Sequence, residues 1–105
     1  WQPHKIQGWT PDFIPTILEK EVIDKIVTVN DEASIETAKD LAKKEGIFCG
    51  ISSGATMQGA IQIAEGAPKN STFCVMLPDT GERYLSSPLF ENISEDSDDD
   101  WLAAQ

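Results

Sequence analysis

The chain alternates between a helical apolar pattern and segments rich in β-branched residues. Residues 31–45 show the helical pattern, with charged residues on one face and, on the other, Ile35, Ala38, Leu41 and Ala42. Asn30 is suited to cap the N-terminus of this helix, and Gly46 is suited to end it because glycine readily adopts a positive φ. The pattern therefore predicts a helix between Asn30 and Gly46.

Three apolar segments and a second helix complete the pattern. Residues 22–29 and 71–77 are dense in β-branched and apolar residues and are predicted to be strands, the second of them covered on both faces. A short apolar run at 47–51 is a further candidate strand, and residues 55–65 are apolar nearly all round, which predicts a buried helix. The order strand, helix, short strand, helix, strand is typical of an α/β fold with a parallel sheet.

Two polar loops accompany these elements, at residues 51–55 (ISSGA) and 78–84 (PDTGERY). In parallel α/β sheets the ligand crevice lies outside the carboxyl ends of the strands, so both loops are predicted to line one site. The residues nominated in this way are Ser52, Ser53, Asp79, Thr80, Glu82, Arg83 and Tyr84. The pattern alone does not name the ligand.

The Ser52–Ser53–Gly54 run has three interpretations. A serine oxygen can cap the helix that follows, the helix N-terminus can bind a phosphate group, or a serine hydroxyl can bond a heteroatom of a bound cofactor. The turn at residues 78–81 needs no function beyond the turn itself, and Glu82 with Arg83 can belong simply to a capped short helix.

Length and charge narrow the classes of function. At 105 residues the chain holds one domain at most, and its net charge of −10 is uneven. Residues 91–105 hold six acidic residues and no basic one, which predicts an acidic tail after a body at residues 1–90. Such a chain would repel a phosphate backbone, so we expect no nucleic-acid partner. It has no apolar stretch long enough for a membrane span and no signal-peptide layout at its start, which favours a cytoplasmic location; an organelle-targeting segment would lie outside this chain.

The remaining reactive side chains indicate no separate chemistry. Cys49 and Cys74 lie in apolar runs with no second ligand at metal-binding spacing, so both are predicted to be buried hydrophobic residues and no metal site is expected. The lone histidine, His4, lies near the start, which argues against a Ser–His–Asp set. Lys5, in the packed first segment, is the one lysine arguable as a Schiff-base former, and we do not expect it to have that role.

Four blocks of sequence, taken together, resemble one family. They are HKIQG at 4–8, FIP at 13–15, EGIFCGISSGA at 45–55 and LPDTGERYLS at 77–86. In this order they are similar to the C-terminal third of a cysteine synthase, also called O-acetylserine sulfhydrylase, and the resemblance covers residues 1 to about 90. It implies the tryptophan synthase β-subunit-like fold, a three-layer Rossmann-like parallel sheet, and a pyridoxal 5'-phosphate cofactor.

The resemblance also implies roles for particular residues. Ser52 matches the serine that bonds the pyridine nitrogen of the cofactor, with Asp79 and Thr80 beside the cofactor ring, and Gln7 and Gly8 match the loop at the substrate entrance. The implied reaction makes L-cysteine from O-acetyl-L-serine and sulfide by β-elimination and β-addition. The family's Schiff-base lysine and phosphate loop correspond to a part before residue 1, so no catalytic residue is expected in this chain and an N-terminal remainder is its implied partner. Homodimer formation and binding of serine acetyltransferase are further implied.

One departure from the family pattern affects the expected substrate. Where the family commonly has GIGAGF after HKIQ, this chain has GWTPDF at residues 8–13, which adds bulk and stiffness at the implied entrance. The departure and the absent lysine leave an alternative hypothesis open. In it, the chain is a non-catalytic fragment that serves as a subunit or regulatory module of a larger assembly.

Overall fold

The computed structural model describes residues 3–9, 12–91, 93 and 98–103, with the side chain of Trp101 excepted. Two long helices dominate this part, α1 at Asp31–Glu45 and α2 at Ile51–Ala64. A third helix, α3, spans Asp98–Ala103, and two short 3₁₀ helices lie at Lys20–Val22 and Gly81–Tyr84. No described helix is both long enough and apolar enough to cross a membrane.

Helix α1 forms as its end signals predict. The Asn30 side chain accepts a hydrogen bond from the Ala33 amide at 2.8 Å, and Gly46 ends the helix with φ 70°. Asp31 and Glu32 lie in the first turn, where the helix dipole favours acidic side chains. The predicted bounds of this helix are confirmed.

We expect Asn30→Ala to destabilise α1 by about 1 kcal/mol, because the Ala33 amide would lose its partner. Asn30→Asp is the matched control, since aspartate caps about as well as asparagine and should leave stability nearly unchanged. Urea unfolding of the assembled protein measures both. Equal unfolding midpoints for Asn30→Ala and Asn30→Asp would contradict the assignment of the cap.

Helix α2 begins four residues earlier than predicted. Its N-cap is Gly50, which makes no side-chain bond, so the interpretation of Ser52 or Ser53 as the helix cap is wrong. Both serines instead lie inside the first turn and are buried. The predicted short strand at 47–51 is not confirmed: Ile51 belongs to the helix, and within this run only Cys49 forms a β-bridge, an isolated antiparallel one to Thr80.

The two long helices pack closely because their contact is made of small residues. Ser34 and Ala38 of α1 are buried, and a Cβ added at Gly54 of α2 would overlap the Ser34 carbonyl and lie 2.8 Å from the Ala38 amide. The Thr37 hydroxyl also donates to Oε1 of Gln58, at 3.0 Å. This packing fixes the start of α2, where the candidate site lies.

The sheet predicted from residues 22–29 and 71–77 is not confirmed. Apart from the 3₁₀ residue Val22, these segments lie outside helices, and in the described part of the chain neither pairs with another strand. Each is instead tied to α2 by one side chain: Thr56 donates to the Met76 carbonyl at 2.7 Å, and Gln62 donates to the Thr28 carbonyl at 3.4 Å. A segment rich in β-branched residues forms a β-ladder only when a partner strand lies beside it. Composition alone therefore does not determine which strands pair.

Large apolar side chains remain uncovered along these segments. Ile26 is 84% exposed and Met76 is 74% exposed, whereas a monomeric soluble protein rarely exposes large contiguous apolar areas. Cys49 is buried as predicted, but the prediction for Cys74 is wrong, because that thiol lies on the uncovered 71–77 segment and is exposed. These two segments therefore have the apolar composition of a protein interior, although several of their side chains are exposed.

Candidate functional site

The two polar loops nominated from the sequence come together at the start of α2. The Gly50 amide donates to the Asp79 carbonyl at 3.2 Å, and the Gly81 amide donates to the Phe48 carbonyl at 3.3 Å. The Ser53 hydroxyl reaches the same Asp79 carbonyl at 3.4 Å. Segments about 30 residues apart in sequence therefore form one local structure.

Ser52 has the properties of a side chain held for a ligand. It lies in the first turn of α2 and is only 8% exposed. Within the described part of the chain its hydroxyl has no hydrogen-bond partner. Polar side chains of nearly buried residues are usually hydrogen-bonded, so the unpartnered Ser52 hydroxyl favours an external partner.

Asp79 has one satisfied carboxylate oxygen and one unsatisfied. Its Oδ2 accepts a hydrogen bond from the Tyr84 hydroxyl at 2.7 Å. Its Oδ1 is buried and has no partner among the described residues. The carboxylate is therefore held through one oxygen and keeps unused hydrogen-bonding capacity on the other.

Gly50 is a residue of this site that the sequence analysis missed. A Cβ at this position would overlap the Asp79 carboxylate and lie 2.5 Å from the Tyr84 ring, so only glycine fits. Tyr84 was nominated as lining, but its bond to Asp79 was not predicted. Gly50 interrupts the apolar run IFCGI, and that glycine was the one available signal of a close contact.

The other nominated residues lie further from this contact. Thr80 is exposed and meets the site through its bridge to Cys49, and Glu82 and Arg83 are exposed on the 3₁₀ helix at Gly81–Tyr84. That helix has no side-chain cap, so the interpretation of Glu82 and Arg83 as a capped helix is confirmed only in part.

Gln7 and Gly8 lie on an exposed turn in which the Trp9 amide donates to the Ile6 carbonyl at 3.2 Å. Gly8 has φ 72°, a conformation that favours glycine. No hydrogen bond joins Gln7 or Gly8 to Ser52 or Asp79 among the described residues, so their role at a substrate entrance stays a prediction. Two residues of the unusual GWTPDF sequence, Thr10 and Pro11, lie outside the described residues.

Burial and hydrogen bonding change two acidities at the site. Burial raises the pKa of the Cys49 thiol above its ordinary 9.0, and the nearby Asp79 charge acts in the same direction, while a bond with Ser53 partly opposes them. The hydrogen bond to Asp79 raises the pKa of Tyr84 above its ordinary 10.0, and burial adds to this effect. Both side chains are therefore held in their neutral forms.

We expect the stability of the assembled protein to fall as the pH rises above about 9. The neutral forms of Cys49 and Tyr84 are favoured in the folded state, so their contribution is complete below their ordinary pKa values and is lost as the pH rises through the raised ones. Urea midpoints measured between about pH 7 and pH 11 test this. We expect Cys49→Ala to reduce the loss of stability in the lower part of this pH range, and Tyr84→Phe to reduce it in the upper part. An unchanged pH dependence of the urea midpoint in both variants would contradict the assignment of the raised pKa values to these two side chains.

The polar groups at this site are the Ser52 hydroxyl and the Asp79 carboxylate, and among the described residues they do not belong to a metal-binding cluster. In the described ranges, no three His, Cys, Asp or Glu side chains come together in a way that could hold a metal ion. The unpartnered Ser52 hydroxyl can donate or accept a hydrogen bond, which suits a ring nitrogen of an organic cofactor. The donor set therefore fits pyridoxal phosphate at its ring-nitrogen side.

Comparisons with known proteins indicate the same cofactor. The family model for pyridoxal-phosphate dependent enzymes matches residues 3–79. The O-ureido-L-serine synthase of Streptomyces lavendulae is 52% identical over 104 residues, which are 99% of this chain and 32% of that protein. A cysteine synthase of Buchnera aphidicola is 50% identical over 92 residues, covering 87% of this chain and 29% of its own length.

Comparison with solved structures finds the same two kinds of enzyme. A crystal structure of O-ureido-L-serine synthase superposes with a TM-score of 0.89 at 52% identity, covering 98% of this chain and 33% of its own. The cysteine synthase of Entamoeba histolytica superposes with a TM-score of 0.80 at 38% identity, covering 90% of this chain and 28% of its own. The chain thus spans about a third of the length of the relatives it matches.

Proposed function

Because the chain belongs to the family of pyridoxal-phosphate dependent enzymes, we propose that it is the C-terminal part of an enzyme that makes L-cysteine from O-acetyl-L-serine and sulfide. In this proposal the acetate group is replaced by elimination followed by addition at the β-carbon. The chain works with an N-terminal part that carries the Schiff-base lysine, and it is inactive alone. The chain spans 29% to 33% of the length of these relatives, and in this proposal the other parts of the site come from the residues that correspond to the rest of that length.

The observation that carries the proposal is the unpartnered hydroxyl of Ser52, a residue that is only 8% exposed. When bound, pyridoxal phosphate supplies an electron sink for bonds broken at the α-carbon of an amino acid. A neutral serine at the ring nitrogen leaves that sink milder than an aspartate would, which favours elimination and addition over fuller carbanion chemistry. In this proposal Ser52 bonds the ring nitrogen, with Asp79 and Thr80 beside the ring.

We propose that strands of the N-terminal part complete a three-layer, Rossmann-like parallel sheet on this chain. Segments 22–29 and 71–77 both lie against α2 and border one groove, lined by apolar residues that include Val27, Val29, Val75 and Met76. A strand placed in this groove would cover apolar side chains and give ladder partners to the segments on either side. This accounts for the exposure of Met76, which a free chain would not favour.

The similarity to O-ureido-L-serine synthase supports a second candidate for the incoming group. That relative matches 104 residues of this chain, and its match extends into the acidic tail at 91–105, whose separation from the body at 1–90 stays a prediction. The name O-ureido-L-serine describes serine with a ureido group on its β-oxygen, so the same β-replacement with hydroxyurea in place of sulfide would form it. The altered GWTPDF sequence at 8–13 is the part of the implied entrance where a larger incoming group would be accommodated.

The non-catalytic alternative assigns a different role to the two loops at residues 51–55 and 78–84. As a regulatory module, the chain would pack residues 51–55 and 78–84 against another protein and leave no space for a cofactor. The unpartnered Ser52 hydroxyl and Asp79 Oδ1 favour a polar ligand at these loops over an apolar protein contact. Homodimer formation, binding of serine acetyltransferase and a cytoplasmic location accompany the catalytic proposal as further expectations.

Product analysis tests the proposed reaction. The chain is mixed with the N-terminal two thirds of the Streptomyces lavendulae relative, supplied with pyridoxal phosphate and O-acetyl-L-serine, and given sulfide or hydroxyurea in separate reactions. We expect L-cysteine from sulfide; formation of O-ureido-L-serine alone would support the second candidate. An assembled complex that binds the cofactor and releases neither product would contradict both, and the N-terminal part by itself is the control.

A further inference from the structure

Asp79 lies where three parts of the site meet. Its carbonyl accepts hydrogen bonds from the Gly50 amide and the Ser53 hydroxyl, and its carboxylate accepts one from the Tyr84 hydroxyl. Ser53 and Asp79 are 26 residues apart in sequence. The single residue Asp79 therefore joins the first turn of α2 to the 3₁₀ helix at Gly81–Tyr84.

The junction is packed as well as hydrogen-bonded. Tyr84 is 5% exposed, and its ring lies so close to Gly50 that no side chain fits there. The bond between the Tyr84 hydroxyl and Asp79, at 2.7 Å, orients both side chains. Movement of the Tyr84 ring would therefore move Asp79 and, through the Asp79 carbonyl, the backbone at Gly50.

Ser52 depends on this junction for its position. Its hydroxyl has no bond of its own within the described part of the chain, whereas Gly50, two residues before it, and Ser53, directly after it, are both tied to Asp79. A side chain is held in a productive geometry only as firmly as the groups that support it. The support of Ser52 therefore comes from its neighbours.

We propose that Tyr84 and Asp79 form a positioning pair that holds the first turn of α2 and thereby fixes the Ser52 hydroxyl. The effect on catalysis rests on the proposed function, whereas the effect on the helix turn rests on the contacts alone. Tyr84 acts through Asp79 and the backbone at Gly50 and is a positioning residue. Its hydroxyl, rather than its ring, makes the link.

Tyr84→Phe tests the pair, because it keeps the ring packing and removes only the hydroxyl. Ser86→Ala is the matched control, since it removes one hydroxyl from an exposed residue of the same segment that has no hydrogen-bond partner in the described part. Both variants are made in the assembled two-part enzyme. The first readout is amide hydrogen exchange of residues 50–54 against α1, measured without cofactor; the second is turnover, KM and the visible absorption band of the bound cofactor.

In Tyr84→Phe we expect exchange at residues 50–54 to rise about 10-fold while α1 stays unchanged, because a hydrogen bond to a charged group is lost. Turnover should fall about 10-fold with KM within about 2-fold, and the absorption band should shift. Asp79→Asn combined with Tyr84→Phe should be no worse than the poorer single variant, as expected of one unit.

Unchanged exchange at residues 50–54, or an equal rise in α1, would overturn the proposal, because the hydroxyl would then have no local role. Wild-type turnover and spectrum in Tyr84→Phe, with faster exchange, would overturn the link to Ser52. If the wild-type complex binds no pyridoxal phosphate, the proposed function fails, and the exchange measurement still decides whether the pair holds the turn.

Discussion

Gly54→Ala is expected to cost the assembled protein about 2 kcal/mol of stability. The added Cβ would overlap the Ser34 carbonyl and lie 2.8 Å and 2.9 Å from the Ala38 amide and Cβ, so the helices α1 and α2 must separate. Overpacking of this kind costs about 3 kcal/mol, and the better helix propensity of alanine returns about 1 kcal/mol of it. Because α2 borders the groove proposed to take a strand of the N-terminal part, a loss of about 2 kcal/mol there should weaken binding of that part about 30-fold.

Gly66→Ala is the matched control for that result. Gly66 has nothing within 4 Å of an added Cβ and its φ is not positive, so we expect a change within about 0.5 kcal/mol. Urea unfolding and a titration of the two parts measure both variants. Equal midpoints for Gly54→Ala and Gly66→Ala would show that the close approach of α1 and α2 is not required.

Ser52→Ala is expected to lower turnover of the assembled enzyme by about 10-fold to 100-fold while leaving its stability nearly unchanged. The Ser52 hydroxyl has no partner within the described residues, so its removal leaves no group of this chain unsatisfied. The bond to the cofactor ring nitrogen would be lost, and loss of one such bond corresponds to about 1–3 kcal/mol in the barrier.

Two comparisons make the Ser52→Ala result specific. Ser86→Ala removes an exposed hydroxyl and should behave as wild type in turnover and in cofactor absorption. Ser52→Thr keeps a hydroxyl and should retain more activity than Ser52→Ala. A Ser52→Ala enzyme with wild-type turnover and an unchanged absorption band would remove Ser52 from the cofactor site.

The parts of the fold predicted correctly are those set by local interactions. Helix α1 has its cap at Asn30 and its end at Gly46, and both signals act within one turn of the chain. The start of α2 was misplaced because serine and glycine are typical of turns and caps. Here the small residues of the first turn are needed for close packing, since Gly54 leaves no room for a side chain beside Ser34.

The sheet and the exposure of Cys74 were beyond local prediction for a different reason. Strand pairing and burial depend on partners distant in sequence, and the 71–77 segment has apolar composition without a covering layer in the described part. The candidate site, too, could be predicted only in part from the sequence. The sequence nominated Ser52 and Asp79 together, but the hydrogen bond from Tyr84 and the close fit of Gly50 are visible only in three dimensions.

Cofactor uptake by the assembled protein tests the central claim most directly. The chain is titrated into a companion N-terminal part in the presence of pyridoxal phosphate, excess cofactor is removed, and the visible absorption spectrum is recorded before and after addition of O-acetyl-L-serine. We predict one cofactor per assembled pair, a spectral shift on addition of O-acetyl-L-serine, and loss of that shift when either part is left out. A complex that forms but retains no cofactor, or whose spectrum is unchanged by the substrate, would contradict the account.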